Sequence, residues 1–167
     1  MNFKNICKAK SVEQDEWITG YLVEYSTSIY SDNTPAIIQE ETLNGCFDPV
    51  LCTPEIIPVV SESICLYTGE NDANNNPIFS EHLFVVDDFF GIIRYGKYKS
   101  TEGIKHIGFY IEWCKNNTNS NSQTYRNDFC YWQEKMKILA PLFDIYDVCS
   151  FIKNYNKERI PSCSENE

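Results

Sequence analysis

Two histidines and eight cysteines are among the side chains of this chain whose types could bind a metal ion or supply a nucleophile. Structural zinc sites take Cys or His ligands in closely spaced pairs, and neither His82 nor His106 has such a neighbour. No Cys-x-x-Cys spacing occurs, and no flanking motif marks a Cys–His nucleophile pair. The spacing therefore predicts no metal site, no cofactor and no catalytic residue.

Adjacent carboxylates are the next candidates for chemistry, and they occur at Asp87 and Asp88 and at Glu40 and Glu41. Neighbouring residues of a strand point to opposite faces, so neither pair forms an acid–base dyad on a strand. We expect solvated charges in loops or at strand ends.

A turn sequence between residues 66 and 79 is the most informative stretch of the chain. An aromatic strand leads into Thr68 and Gly69, then into a cluster of Asp and Asn, and then into Ile78 and Phe79. Gly and Asn tolerate positive φ angles, and Asp and Asn side chains bond to nearby backbone. The stretch predicts a β-hairpin whose role is structural.

The order of this turn, Tyr67 to Phe79, resembles the signature of the YopX family of phage and prophage proteins. The resemblance extends in order from residue 10 to residue 145, through the segments at 16–21, 57–64, 91–96, 108–113 and 138–139. The residues that carry it are Trp17, Gly20, Tyr21, Tyr67, Thr68, Gly69, Asp72, Asn74, Ile78, Phe79, Gly91 and Trp113. The family has no established biochemical activity, so the resemblance implies structural roles for these residues.

Two departures from the family pattern stand at the turn and directly after it. Asn75 replaces the Gly that usually follows the turn Asn, and Asn is the next most permissive residue for a left-handed backbone. After Phe79 the chain has Ser80, Glu81 and His82 where the family usually has Glu-Gly-Asp. Any role of that acidic corner is therefore not expected here.

The charge of the chain bears on its partners. Twenty-four acidic against 14 basic residues give a net charge of −10. Nucleic-acid binding needs concentrated Lys and Arg, so we do not expect a nucleic-acid partner, although Lys97, Lys99 and Lys105 surround one loop. The aromatic clusters at 95–98, 109–113 and 129–132 could stack bases, but strand spacing favours a place in the core.

The cysteines and the first residues bear on location. Residues 1–8 lack the apolar run of a signal peptide, and no stretch approaches a membrane span of about 20 apolar residues. We therefore expect no membrane association, a location in the host cytoplasm, and reduced thiols. Cys65, Cys114, Cys130 and Cys149 have apolar or aromatic neighbours, which favours buried thiols.

Apolar periodicity predicts the elements that position these residues. Alternation of two predicts strands at 17–25, 36–39, 56–60, 63–68, 83–86, 91–95, 107–113 and 125–131, with a polar loop at 115–124. The strand at 107–113 is expected to anchor the core through Ile107, Phe109, Ile111 and Trp113. Helical spacing predicts one helix at 141–156.

The predicted fold is mainly β, an antiparallel barrel-like or sandwich-like body, or two small β subdomains, with one C-terminal helix. Residues 1–160 would form one YopX-like domain and 161–167 a disordered tail. The predicted function is that of a non-enzymatic phage accessory protein that binds another protein. The sharper version is an acidic inhibitor of a host factor or defence effector, whose negative charge engages a basic surface of that partner. The alternative is a nucleic-acid-binding or nucleic-acid-processing phage protein, and self-association through open strand edges is a further expectation.

Overall fold

A computed structural model of the chain describes residues 6–27, 30–39, 55–100, 102–114 and 127–159. The carboxylates of Glu40 and Glu41, the predicted loop at 115–124 and the predicted tail at 161–167 lie outside these residues.

The described residues form two antiparallel sheets, which confirms the mainly β fold with one substantial C-terminal helix; no closed barrel is present in them. The first sheet has the order β4-β3-β2-β1-β5-β6 and the second the order β10-β7-β8-β9. The strands are β1 (Ile6–Lys10), β2 (Trp17–Thr27), β3 (Tyr30–Ile38), β4 (Ile56–Pro58), β5 (Cys65–Asn71), β6 (Pro77–Phe79), β7 (His82–Val86), β8 (Phe89–Lys99), β9 (Lys105–Trp113) and β10 (Lys137–Pro141). Two helices, α1 (Phe129–Trp132) and α2 (Val148–Arg159), follow β9 and β10 respectively.

The first sheet curls around its own core. Beyond β4 the chain crosses to the end of β1, where Val59 pairs with Ser11. The neighbouring strand β3 passes close to Gly20, since a Cβ on that residue would lie 2.3 Å from the carbonyl oxygen of Ile38. The core inside it consists of Cys7, Ala9, Ile18, Ile37 and Val59.

The second sheet has apolar residues on both faces. Every residue of β7 is buried, since one face packs on a core that includes Phe84 and Ile111 and the other is covered by α2 through Ile152. The Phe84 ring lies over Gly91 so closely that a Cβ there would stand 2.6 Å from the ring.

The predicted helix start at residue 141 is wrong. Pro141 is the last residue of β10, and the helix begins at Val148, after Asp147 accepts hydrogen bonds from the backbone N–H groups of Cys149 and Ser150. Leu142 and Ile145 belong to a 3₁₀ turn and pack against the core that contains Ile152 of α2. Their spacing of three residues is therefore also that of a helix, although the α-helix has not yet begun.

The predicted strand at 125–131 is also wrong where the structure describes it. Residues 129–132 form the short helix α1, which places Phe129 and Trp132 three residues apart against one core. The other predicted strands are present with shifted bounds. β3 ends at Ile38 and β4 at Pro58, before the predicted ends at 39 and 60, and β5 begins at Cys65 instead of residue 63. β2, β7, β8 and β9 extend beyond their predicted bounds.

Glu81 marks the corner where the chain leaves the first sheet for the second. Its φ of 56° is left-handed, a backbone conformation that Gly adopts at lower cost than a residue with a Cβ. The residue is held there by an ion pair with Arg94 and by backbone hydrogen bonds to Ile93 and Leu142.

We expect Glu81→Gly to be more stable than Glu81→Ala by about 1 kcal/mol, because both variants lose the ion pair but only Gly relieves the left-handed backbone. Urea unfolding of the two variants measures this difference. An alanine variant at least as stable as the glycine variant would contradict the assignment of backbone strain to this corner.

Candidate binding surface and the motif residues

The structure brings seven of the twelve motif residues together in the β5–β6 hairpin. Tyr67 pairs with Phe79, and the next paired residues are Asn71 and Pro77, so β5 carries a bulge. Gly69 lies in this bulge with a φ of 90°, and the Thr68 hydroxyl donates to the Ile78 carbonyl oxygen at 2.9 Å. The other members of the seven are Asp72 and Asn74.

Asp72 organises the turn that follows. Its Oδ1 atom accepts hydrogen bonds from the N–H groups of Asn74 and Asn76, both at 2.8 Å, and Oδ2 lies 3.5 Å from the Ile138 nitrogen. Burial raises the pKa of this carboxyl, but the hydrogen bonds outweigh burial and leave the pKa below its usual value. Asn75 takes the expected left-handed backbone with a φ of 65°.

The other five motif residues are distributed over both sheets. Gly20 and Tyr21 lie in β2, and Gly91 pairs with Trp113 between β8 and β9. Trp17 joins the sheets, since its Nε1–H donates to the Asp144 carboxylate at 2.8 Å, and the Lys10 ammonium lies 3.2 Å from the same carboxylate.

The side chains that could take part in catalysis or metal binding are mostly buried or hydrogen-bonded within the fold. His82 is buried, and its Nδ1 lies 2.9 Å from the Ser80 carbonyl oxygen. Burial lowers the pKa of His82 to about 4, although the bond to Ser80 opposes the shift. Asp87 and Asp88 are exposed in the turn between β7 and β8.

The prediction of buried cysteines holds only in part. Cys65 is buried as predicted, and so is Cys7, but Cys114 is half-buried and Cys130 and Cys149 are exposed. Burial raises the pKa of Cys65 to about 12 and the pKa values of Cys7 and Cys114 to about 11. A thiol with a raised pKa is a weak nucleophile at neutral pH.

The far half of the β8–β9 hairpin, residues 95–99 and 105–109, extends beyond the buried core residues, with only Phe109 at its base packed against them, and we call it the arm. Ile107 was predicted to anchor the core, and the aromatic cluster at 95–98 to lie in it. Both predictions are wrong at the arm, because Ile107 is 70% and Tyr95 53% exposed. Ile104, in the turn, is 54% exposed. The fully buried residues of this hairpin end at the pair Ile93 and Ile111, and the half-buried Phe109, which pairs with Tyr95, still packs against that core.

The two faces of the arm differ in chemistry. On one face Tyr98 lies between His106 and Tyr110, with ring centroids 5.3 Å and 5.2 Å apart and near-parallel planes. Both faces of the Tyr98 ring are therefore covered. The opposite face carries Tyr95, which pairs with Phe109 at a ring-centroid distance of 5.0 Å, and Ile107, which pairs with Lys97.

Three lysines surround this apolar surface. Lys97 pairs with Ile107, and Lys99 pairs with Lys105, so all three side chains share the face of Tyr95. No described residue forms an ion pair with any of the three. They line an open cavity of about 620 Å³ together with Tyr98, His106 and Ile107. Sequence reasoning noted the lysines but not their face, which depends on the hairpin register.

Comparisons of this chain with known protein families, with curated proteins and with solved structures found no match. Among the described residues, no group of three or more His, Cys, Asp or Glu side chains is placed to hold a metal ion. No helix in the described ranges is both long and apolar enough to cross a membrane.

We expect Gly69→Val to lower the free energy of unfolding by about 2 kcal/mol, or roughly 4–8 °C in Tm, because valine is strained at positive φ. Gly108→Val is the matched control, since a Cβ at Gly108 meets nothing within 4 Å. Thermal unfolding of both variants measures the difference. Equal stability of the Gly69 variant and the native chain would contradict the structural role.

His82 should make stability fall on acidification. The pKa of His82 is lower in the folded than in the unfolded chain, so the unfolded state binds a proton at a higher pH. Protonation therefore stabilises the unfolded state relative to the folded state as pH falls from 6.5 to 4. The native chain should lose about 2–3 kcal/mol of stability over this interval from His82 alone.

The measurement is urea unfolding across the pH interval for His82→Gln, with the exposed His106→Gln as control. The His82 variant should show a flatter pH dependence, whereas the control should follow the native chain. A pH dependence unchanged in the His82 variant would show that this histidine is not held neutral.

Proposed function

We propose that the chain is a YopX-like accessory protein encoded by a phage or prophage, and that it acts in the host cytoplasm by binding another protein without catalysing a reaction. The order of the motif segments over residues 10–145 supports the family. The five described cysteines are free thiols, which fits a reducing compartment.

The arm is the observation that carries the binding role. Ile107 and Tyr95 are exposed on one face of this hairpin, and Ile104 is exposed in its turn, and none of the three belongs to the buried core clusters. Grouped apolar side chains gain free energy when a partner covers them, and buried aromatic anchors dominate many interfaces. The grouped apolar side chains of the arm therefore provide a larger contact area for a protein partner than a single exposed apolar residue would.

The burial and the structural hydrogen bonds of the reactive side chains favour binding over catalysis. The Asp72 carboxylate is occupied by its own turn, the His82 ring is buried and held neutral, and three thiols have raised pKa values. Each group contributes to folding at the expense of reactivity. The sharper version of the proposal remains inhibition of a host factor or defence effector.

Nucleic-acid binding is the second candidate, and the lysines of the arm favour it. Two observations weigh against it. The Tyr98 ring is covered on both faces by His106 and Tyr110, so it has no face left for a base. The net charge of −10 also repels phosphate at long range.

The test pairs a pull-down from nuclease-treated host lysate with binding of single- and double-stranded DNA and RNA at low salt. We expect the tagged chain to retain a specific host protein and to bind none of the nucleic acids appreciably. Salt-sensitive nucleic-acid binding without a retained protein would overturn the proposal.

A further inference from the structure

The outer edge of β9 is the backbone feature of the arm that could receive another chain. The second sheet ends at β9, and no described strand pairs with its outer edge along residues 105–109. Described residues lie against the inner end of this stretch, where the Phe109 ring lies 6.1 Å from the Phe129 ring of α1. Beyond it, Tyr110 bridges to Asp128, and the Ile111 N–H donates to the Asn127 carbonyl oxygen.

The hydrogen-bonding direction of this edge follows from the register. Cys114 donates inward to Phe90, whereas Ile111 donates outward to Asn127. Backbone groups alternate in direction along an antiparallel strand, so the N–H groups of Lys105, Ile107 and Phe109 also point outward. The edge therefore presents regularly spaced backbone donors and acceptors.

The side chains beside this edge set the chemistry of a suitable partner. Ile107 and Tyr95 form an apolar centre, and Lys97, Lys99 and Lys105 stand around it without an ion pair to any residue in the described ranges. In a chain of net charge −10, this local excess of lysine is opposite in sign to the whole molecule. Charge complementarity therefore points to an acidic partner segment.

We propose that the arm binds an extended segment of the partner protein, in which apolar and acidic residues alternate, as an added strand on the outer edge of β9. This inference rests on the proposed protein-binding function and names the partner's chemistry. It reverses the expectation from net charge, since the partner contributes the acids and this chain the lysines.

The register gives the pattern that the segment must carry. A residue of an added antiparallel strand that lies opposite Ile107 shares its face, and the residue two positions later lies opposite Lys105. The first position therefore favours an apolar side chain and the second Asp or Glu. Main-chain bonds supply affinity, and these alternate side chains supply specificity.

A second copy of this chain fits the edge less well than an acidic segment. Pairing of two β9 edges would place the lysines of both arms in one interface without acids between them. Repulsion between subunits of net charge −10 adds to this penalty at low salt.

The first experiment maps the contact by photocrosslinking in the full-length chain. A benzophenone side chain replaces Ile107 in one variant and Val12, which is 59% exposed in the β1–β2 turn, in the control. Each variant is irradiated in host lysate, and the crosslinked peptide is sequenced by mass spectrometry. We expect the Ile107 variant to capture a segment with alternating apolar and acidic residues, and the Val12 variant to capture none.

The possible failures are distinguishable. Capture of no protein at either position, with nucleic acid retained instead, overturns the proposed function together with this inference. A crosslink to the same host protein from Val12 only, or from Ile107 to a basic segment, overturns the inference and leaves the protein-binding function intact. Crosslinking of Ile107 to a second copy of the chain alone also overturns the inference.

The second experiment isolates local charge from net charge. Lys97, Lys99 and Lys105 are all changed to Glu in one variant, and exposed Lys137, Lys153 and Lys157 are changed to Glu in the control. Both variants carry the same net charge, and thermal unfolding verifies that each is folded.

Affinity for the captured partner should fall about tenfold or more in the arm variant, because three charge pairs are lost, and less than about twofold in the control. Equal losses in the two variants would show that only net charge matters, and an unchanged affinity in the arm variant would show that the lysines take no part. Either result overturns the inference.

Discussion

The chain passes from the first sheet to the second at Ser80 and Glu81, and the contacts at this corner join β5, β8 and the turn after β10. Ser80 is bound to Leu66 twice, through its backbone N–H and its hydroxyl oxygen, each at 2.8 Å. Glu81 bonds through its backbone to Ile93 of β8 and to Leu142 after β10. One left-handed residue therefore connects two sheets and aligns three segments that are distant in sequence.

The β5–β6 motif hairpin packs against the rest of the fold near this corner, whereas the arm extends away from it. The hairpin packs its polar groups inward, since Asp72 holds its own turn and reaches the start of β10. The arm follows Arg94, which forms ion pairs with Glu81 and Glu112. The polar side chains of the motif hairpin therefore stabilise the fold, whereas the exposed apolar side chains of the arm are accessible to a partner.

Sequence reasoning predicted the β class, most strands and the left-handed Asn75, because alternation and turn chemistry are local. It failed at Ile107, since alternation shows which side chains share a face but not where along a hairpin the core ends. It failed at α1 because four residues are too few for a period to establish itself. The lysine face of the arm required the β8–β9 register, which no local pattern specifies.

Native-state hydrogen exchange of the free chain tests most directly whether the motif supports the fold and the arm is open for binding. The account predicts that the Asn74 and Asn76 amides, which donate to Asp72, exchange slowly, and that the outward Ile107 amide exchanges quickly while the inward amide of neighbouring Gly108 is protected. Fast exchange at Asn74 and Asn76 together with a protected Ile107 amide would contradict it.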